Sequence, residues 1–283
     1  MKVAILGTEN SHAMAFAKLI KNDPDFACME LVGVYGYDKA ANDKLTEEGL
    51  VSCVASGPHE FLGKVDGILV TARHGDHHYE YALPYIKAGC AAFIDKPFTV
   101  KEEYAAELAR AAEKSGALVC GGSSLKFLKE LDEVKAFVSE NKILGAYVGA
   151  PVSMVNDYAG FYFYSQHLIE MMLAVFGYGI KSVYAYCPDE TVNRLSVMFD
   201  YGSFDVMAQY TSSYAYTVSV YSEKCSKAEY TFNLGDCYKK ELLEFRDMVT
   251  SRALPHPIGE IIYPVKLLHA IEQSYKEGRR ITL

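Results

Sequence analysis

The chain lacks an excess of positive charge: 28 Lys and Arg stand against 36 Asp and Glu, a net charge of -8. A nucleic-acid surface needs clustered Lys and Arg facing the phosphates, and no basic run is present, so a nucleic-acid partner is not expected. No uninterrupted apolar stretch approaches the roughly 20 residues that cross a bilayer, and the N-terminus shows no basic-then-apolar leader pattern. A cytoplasmic protein with no membrane partner is the expectation. The cysteines Cys28, Cys53, Cys90, Cys120, Cys187, Cys225 and Cys237 include no close pair. That leaves neither a Cys-x-x-Cys metal site nor a redox dithiol, and buried inert thiols are expected. A Pro/Gly/Ser linker, an internal repeat and a low-complexity segment are also missing.

What is present is apolar. At 283 residues and 50% hydrophobic content the chain buries a large core as one large or two ordinary domains. Its first half alternates short apolar runs with helical patterns, the mark of βαβ units. Strands are expected near Val3–Leu6, Met29–Tyr35, Gly67–Thr71, Ala92–Ile94 and Ala117–Cys120, with helices His12–Lys21, Tyr79–Ala88 and Lys101–Ser115. Beyond Lys126 the pattern changes to a helix over Lys126–Asn141, a strand over Ala146–Val155 and a helix over Gln166–Phe176. Tyrosine-rich strands follow at Ser182–Tyr186, Arg194–Phe199, Phe204–Tyr210, Ala215–Ser222 and Lys227–Phe232, separated by turn residues. The fold class is therefore α/β: a doubly wound parallel sheet over residues 1–122, then an α+β domain over 123–283 with a mainly antiparallel open sheet.

The apolar strand Ala92–Ile94 runs into Asp95-Lys96-Pro97. Ligands of open parallel sheets bind outside the carboxyl ends of the strands, which puts the Lys96 ammonium over a reaction crevice. Proline fixes the backbone beside it, and partial burial lowers a lysine toward a useful range.

Together with Thr71-Ala72 at the end of the third strand, His78 opening the next helix, and Tyr85 to Gly89 closing it, this tripeptide resembles the signature of the Gfo/Idh/MocA oxidoreductases. Ala72 stands for a proline and Asp95 for a glutamate of that signature; the lysine is kept. The first strand Lys2 to Gly7 and the segment Leu242 to Leu283, which resembles the family's closing helices, extend the likeness to both ends. Closing helices over 238–283 are expected to pack back on the first domain. The resemblance implies NAD(P)-dependent hydride transfer from a sugar, polyol or cyclitol hydroxyl. It also implies a homodimer or homotetramer formed through the tyrosine-rich sheet.

The phosphate loop departs from the Gly-x-Gly-x-x-Gly pattern, reading Gly7-Thr8-Glu9-Asn10-Ser11-His12-Ala13. Glu9 occupies the close-approach position, where a carboxylate weakens pyrophosphate binding unless it turns away. Asn10 or Ser11 can cap the following helix and leave its amides for an anion. The acidic residue that normally holds the adenine ribose aligns with Gly36, so Asp38 is the nearest substitute. No arginine favours a 2′-phosphate, which makes NAD the expected cofactor with NADP as the alternative. The cofactor set is Gly7, Thr8, Asn10, Ser11, His12, Asp38, Thr71, Ala72, His78, Asp95, Lys96 and Pro97.

In the second half, Phe163-Tyr164-Ser165-Gln166-His167-Leu168-Ile169-Glu170 aligns with a family helix bearing an acid/base histidine. The resemblance assigns His167 that role; Glu170 replaces an aspartate one turn later, and Phe163 replaces the aspartate that orients the imidazole. Tyr164, or Tyr162, supplies a hydroxyl for proton relay. Lys96 steadies the developing alkoxide. The run Arg73-His74-Gly75-Asp76-His77-His78 offers zinc-type ligands, but adjacent histidines converge poorly, so no metal is assigned. His12 is an additional candidate for recognising an anionic substrate. Two alternatives remain open: a binding or regulatory protein that kept the fold, and an enzyme that recycles NAD within a non-redox reaction.

Overall fold

The computed structural model describes residues 1–230 and 232–283. Two compact units form: one from Met1–Gly122 with Tyr238–Ile262, the other from Ser123–Cys237 with Tyr263–Leu283.

The first unit holds a parallel sheet of β1 (Lys2–Leu6), β2 (Glu30–Tyr35), β3 (Gly67–Val70), β4 (Ala91–Asp95) and β5 (Val119–Gly122), in the order β2-β1-β3-β4-β5. β3 and β4 are buried at every residue, which is why they read as continuous apolar runs rather than alternating ones. The crossovers are α1 (Ser11–Asn22), α2 (Lys39–Glu47), α3 (Gly75–Lys87) and α4 (Glu102–Ser115). Chain order reverses between β1 and β3, so the carboxyl ends of those strands mark the topological switch point. α4 shows how the sequence sets its limits: Glu102 and Glu103 lie at its positive end, and Gly116 closes it with φ +73°. The closing helix α7 (Cys237–Ser251) seals one face of the sheet. Its Leu242, Phe245 and Met248 join Val3, Ile5, Phe16, Leu69 and Phe93 in one core. Gly67 makes room for the Phe245 ring, since a Cβ there would stand 2.7 Å from Cζ.

The second unit carries a seven-stranded sheet in the order β11-β10-β6-β9-β8-β7-β12. Its strands are β6 (Ile143–Pro151), β7 (Ser182–Tyr186), β8 (Leu195–Asp200), β9 (Asp205–Thr211), β10 (Thr217–Ser222), β11 (Ser226–Glu229) and β12 (Ile281–Thr282). All pairs are antiparallel except β6 with β9. The helix α6 (Tyr162–Phe176) covers one face, where Tyr210 on β9 donates to the Ser165 carbonyl at 3.0 Å. On the other face Tyr147, Met207, Met198 and Tyr184 stand directly opposite one another on β6, β9, β8 and β7. α5 (Lys129–Glu140) precedes β6, and α8 (Ile258–Glu277) begins in the first unit and continues into the second. Among the described residues, no helix is long and apolar enough to cross a membrane.

Several element limits differ from the sequence reading. β5 starts and ends two residues later than expected because it takes in Gly121 and Gly122, residue types poor in strand propensity. Gly121 sits at φ +136°, and a Cβ there would fall 1.9 Å from the Ile94 carbonyl. α5 starts later than expected because a 3-10 turn over Ser124–Phe127 comes first. β6 is earlier than expected, running from Ile143 to Pro151. After it, Asn156 knits a loop by donating to the Ser153 and Gly160 carbonyls and accepting from the Tyr158 and Gly160 amides. α6 starts at Tyr162 rather than Gln166, its aromatic first turn being helical. β11 stops at Glu229, and the expected strand to Phe232 includes Thr231, which lies outside the described residues.

Candidate active site

In the first unit the turn after β1 is set by Gly7. Its φ is +98°, and a Cβ would approach the Ala72 amide nitrogen to 2.3 Å, so only glycine lets the ends of β1 and β3 meet. Thr71 secures that meeting by donating its hydroxyl to the Gly7 carbonyl at 2.6 Å. Thr8 is nearly buried and donates to Asn42 Oδ1 at 2.7 Å, while Asn42 donates to the Gly36 carbonyl at 2.8 Å. The absence of an acid at position 36 follows, because a Cβ there would lie 1.9 Å from Thr8 Oγ1. Asp38, its nearest substitute, caps α2 by accepting from the Ala40 and Ala41 amides through Oδ1.

Glu9 turns sideways: its Oε1 accepts from the Arg73 amide at 2.9 Å. Asn10 sits at the N-cap of α1 in extended conformation and makes no side-chain cap bond; its amide donates instead to Asp95 Oδ2 at 2.9 Å. Ser11 is exposed and lies 3.1 Å from the Tyr238 hydroxyl. The first amides of α1 are thus left without a side-chain cap, and the turn before them is glycine-tight. Both features suit an anion such as a dinucleotide pyrophosphate.

Lys96 follows β4 directly and is 5% exposed. Its backbone amide donates to Asp95 Oδ1 at 2.6 Å, and its peptide bond to Pro97 is cis. Burial drives the lysine below its ordinary range, against the pull of the Asp95 and Glu241 carboxylates; the Arg73 guanidinium adds to the depression. Burial likewise raises the Asp95 carboxyl to about 6, opposed by His12 and Lys96.

His78 is completely buried. Its Nδ1 lies 2.7 Å from the Pro97 carbonyl and its Nε2 2.6 Å from the Ala72 carbonyl, so the ring clamps the ends of β3 and β4 together. Burial, outweighing these carbonyls, lowers it to about 4, so it is neutral at ordinary pH and donates to one carbonyl only. The sequence expects it at a cofactor; here both ring nitrogens lie against backbone carbonyls. Its two neighbours take other partners, His74 accepting from the Asp76 amide and His77 stacking on Tyr81.

In the second unit His167 is 8% exposed, and its Nδ1 lies 2.6 Å from Ser123 Oγ. Ser123 thereby supplies the orientation that Phe163 does not. The Ser123 amide donates to Glu170 Oε1 at 2.8 Å, Gln166 donates to the same oxygen at 2.6 Å, and Lys126 stands 3.8 Å from Oε2. Tyr164 is half-buried, its ring 5.9 Å from that of His167 and its hydroxyl accepting from Tyr214 at 3.4 Å. Tyr162 is occupied elsewhere, donating to Glu272 at 2.8 Å. Phe163 packs on Tyr158 and Tyr164.

Sequence reasoning missed Ser123, Glu241 and the Glu9–Arg73 bond. Ser123 had one readable signal, its place straight after a strand, where Lys96 also stands. Glu241, far along the chain, had none.

Residues 1–123 match the family model of Gfo/Idh/MocA, described as an oxidoreductase family with an NAD-binding Rossmann fold. No curated protein matches the sequence. Among solved structures, GenD2 of gentamicin A biosynthesis in complex with NAD is similar at 16% identity and TM-score 0.86, covering 100% of this chain and 96% of that one. A myo-inositol dehydrogenase from Corynebacterium glutamicum gives 16% identity and TM-score 0.85 over 100% and 98%. The WlbA dehydrogenase from Chromobacterium violaceum, in complex with NADH and UDP-GlcNAcA, gives 16% and 0.80 over 100% and 96%. At these identities the likeness is one of fold.

Proposed function

We propose, for a chain whose residues 1–123 match the model of the Gfo/Idh/MocA oxidoreductase family, that it is an NAD-dependent dehydrogenase acting on a sugar, polyol or cyclitol hydroxyl. The observation that carries the reading is the buried Lys96 at the carboxyl end of β4, its backbone amide donating to Asp95 within the residues that match the family model. Gly7 and the uncapped start of α1 hold the pyrophosphate, and Asp38 keeps Oδ2 for the adenine ribose. NAD, when bound, supplies the hydride acceptor. Lys96 steadies the oxygen as it becomes an alkoxide, which a buried cation does far better than a hydrated one. His167, held by Ser123, exchanges the hydroxyl proton, with Tyr164 beside it as relay. Titration calorimetry with NAD and NADP on the purified protein tests this. NAD is expected to bind at least tenfold more tightly, and failure of both nucleotides to bind returns the chain to the regulatory reading.

The tyrosine- and methionine-bearing sheet face of the second unit supports self-association: Tyr147, Tyr184 and Met207 are each about 40% exposed along one row. Burying that row is worth several kcal/mol at about 25 cal/mol per Å². Met207→Asp is expected to lower the mass seen by light scattering, and an unchanged mass removes this face as the interface.

A further inference from the structure

The lysine's surroundings contain more ionisable groups than the proposed hydride transfer uses. His12 stands where the third glycine of a dinucleotide loop belongs, a position normally kept small so that helix and strand pack closely. Here it carries an imidazole that is 3% exposed and wedged between two carboxylates from distant parts of the chain. Nδ1 lies 3.2 Å from Asp95 Oδ2, and Nε2 lies 3.3 Å from Glu241 Oε2. Glu241 comes from α7 and is 1% exposed; Asp95 is fully buried. The Tyr238 ring, 4.3 Å from the imidazole, and Phe16 at 5.7 Å shut the cluster from water.

The histidine and two carboxylates are also a metal-type donor set, their ligand atoms within 4.8 Å of one another. The two carboxylates stand against different nitrogens of the ring, at 3.2 and 3.3 Å. Both carboxylates favour the charged form of the buried Lys96, against the burial that disfavours it.

We propose that Glu241 is a positioning residue for Lys96: standing across the His12 ring from Asp95, it completes a buried anionic cradle that keeps the lysine in its ammonium form. The proposal rests on the dehydrogenase reading only for the use made of that ammonium. Burial alone favours the neutral amine, which cannot steady an alkoxide. The groups facing the lysine are Asp95 beside it, Glu241 from α7, Arg73 after β3 and His78 from α3; those facing His12 are Asp95, Glu241, Lys96 and Tyr238. Among the described residues the Asp95 and Glu241 carboxylates favour its charge. His12 stands between them, although the Glu241 charge still adds to the burial that raises Asp95.

The test is the pH dependence of Lys96 modification by trinitrobenzenesulfonate, read by peptide mass spectrometry on the full chain without nucleotide, with circular dichroism as fold control. In Glu241→Gln the midpoint is expected to fall by about one pH unit. Glu241→Asp, which keeps the charge but withdraws it by one methylene, is expected between that variant and the wild type. It also supplies the comparison if the glutamine variant does not fold. Equal midpoints in every variant that folds overturn the proposal. Because amine reactivity is read without cofactor or substrate, a protein that fails to bind NAD refutes the dehydrogenase reading and leaves this test standing.

Discussion

Near Lys96 the first unit gathers ionisable groups, with Asp95, Glu241 and His12 buried together and both carboxylates favouring the charged lysine. Around His167 the second unit uses a hydroxyl, Ser123 Oγ, and keeps its carboxylate, Glu170, one step back on the serine's own amide. The first arrangement decides whether a proton is held; the second decides which way a ring points. A group that must stay ionised in a dry site needs counter-charges, whereas a proton carrier needs orientation. On the proposed reading, the Ser123 hydroxyl at His167 Nδ1 takes the place of the carboxylate that Phe163 replaces, holding the imidazole without adding charge.

The largest expected effect separates chemistry from binding in the first unit. Lys96→Ala is expected to lower kcat by two to three orders of magnitude, about 3–4 kcal/mol of transition-state stabilisation, with NAD affinity within a few-fold of wild type. Retained turnover in a folded variant would show that the charged cluster is structural. Next in size is a pH effect confined to that unit. The folded-state value of His78, about 4, lies below its ordinary 6.5, so the unfolded chain binds the extra proton across that window. Stability is full above pH 6.5 and is lost as the pH falls toward 4, by roughly 3 kcal/mol. Urea unfolding of His78→Gln is expected to lack most of this acid slope, and an undiminished slope would contradict the clamp. Smallest is the orienting bond of the second unit. Ser123→Ala is expected to reduce kcat about tenfold, near 1.4 kcal/mol, while leaving nucleotide affinity unchanged. An unaltered kcat would mean that the ring needs no such support.

The parallel half was legible because β1, β3 and β4 are buried almost throughout and punctuated by Gly7, Thr71 and Lys96 at their ends. Lys96 could be read from an apolar run stopping at a charged residue beside proline. β5 was misplaced because its glycines serve a close backbone approach that propensity does not register. The start of α6 was hidden by its aromatic composition, which reads equally well as loop or helix. Asp38 shows the limit of alignment by type: its cap bonds to Ala40 and Ala41 account for one oxygen before any ribose is considered. Ser123 and Glu241 act through tertiary proximity alone, which no local pattern encodes.

The most direct measurement is the appearance of reduced nicotinamide when the purified wild-type protein is given NAD and a panel of cyclitols, polyols and sugars. The account predicts net reduction with at least one of them. Firm NAD binding without reduction by any member of the panel would contradict hydride transfer to a free product and favour chemistry in which the nucleotide is restored within each turnover.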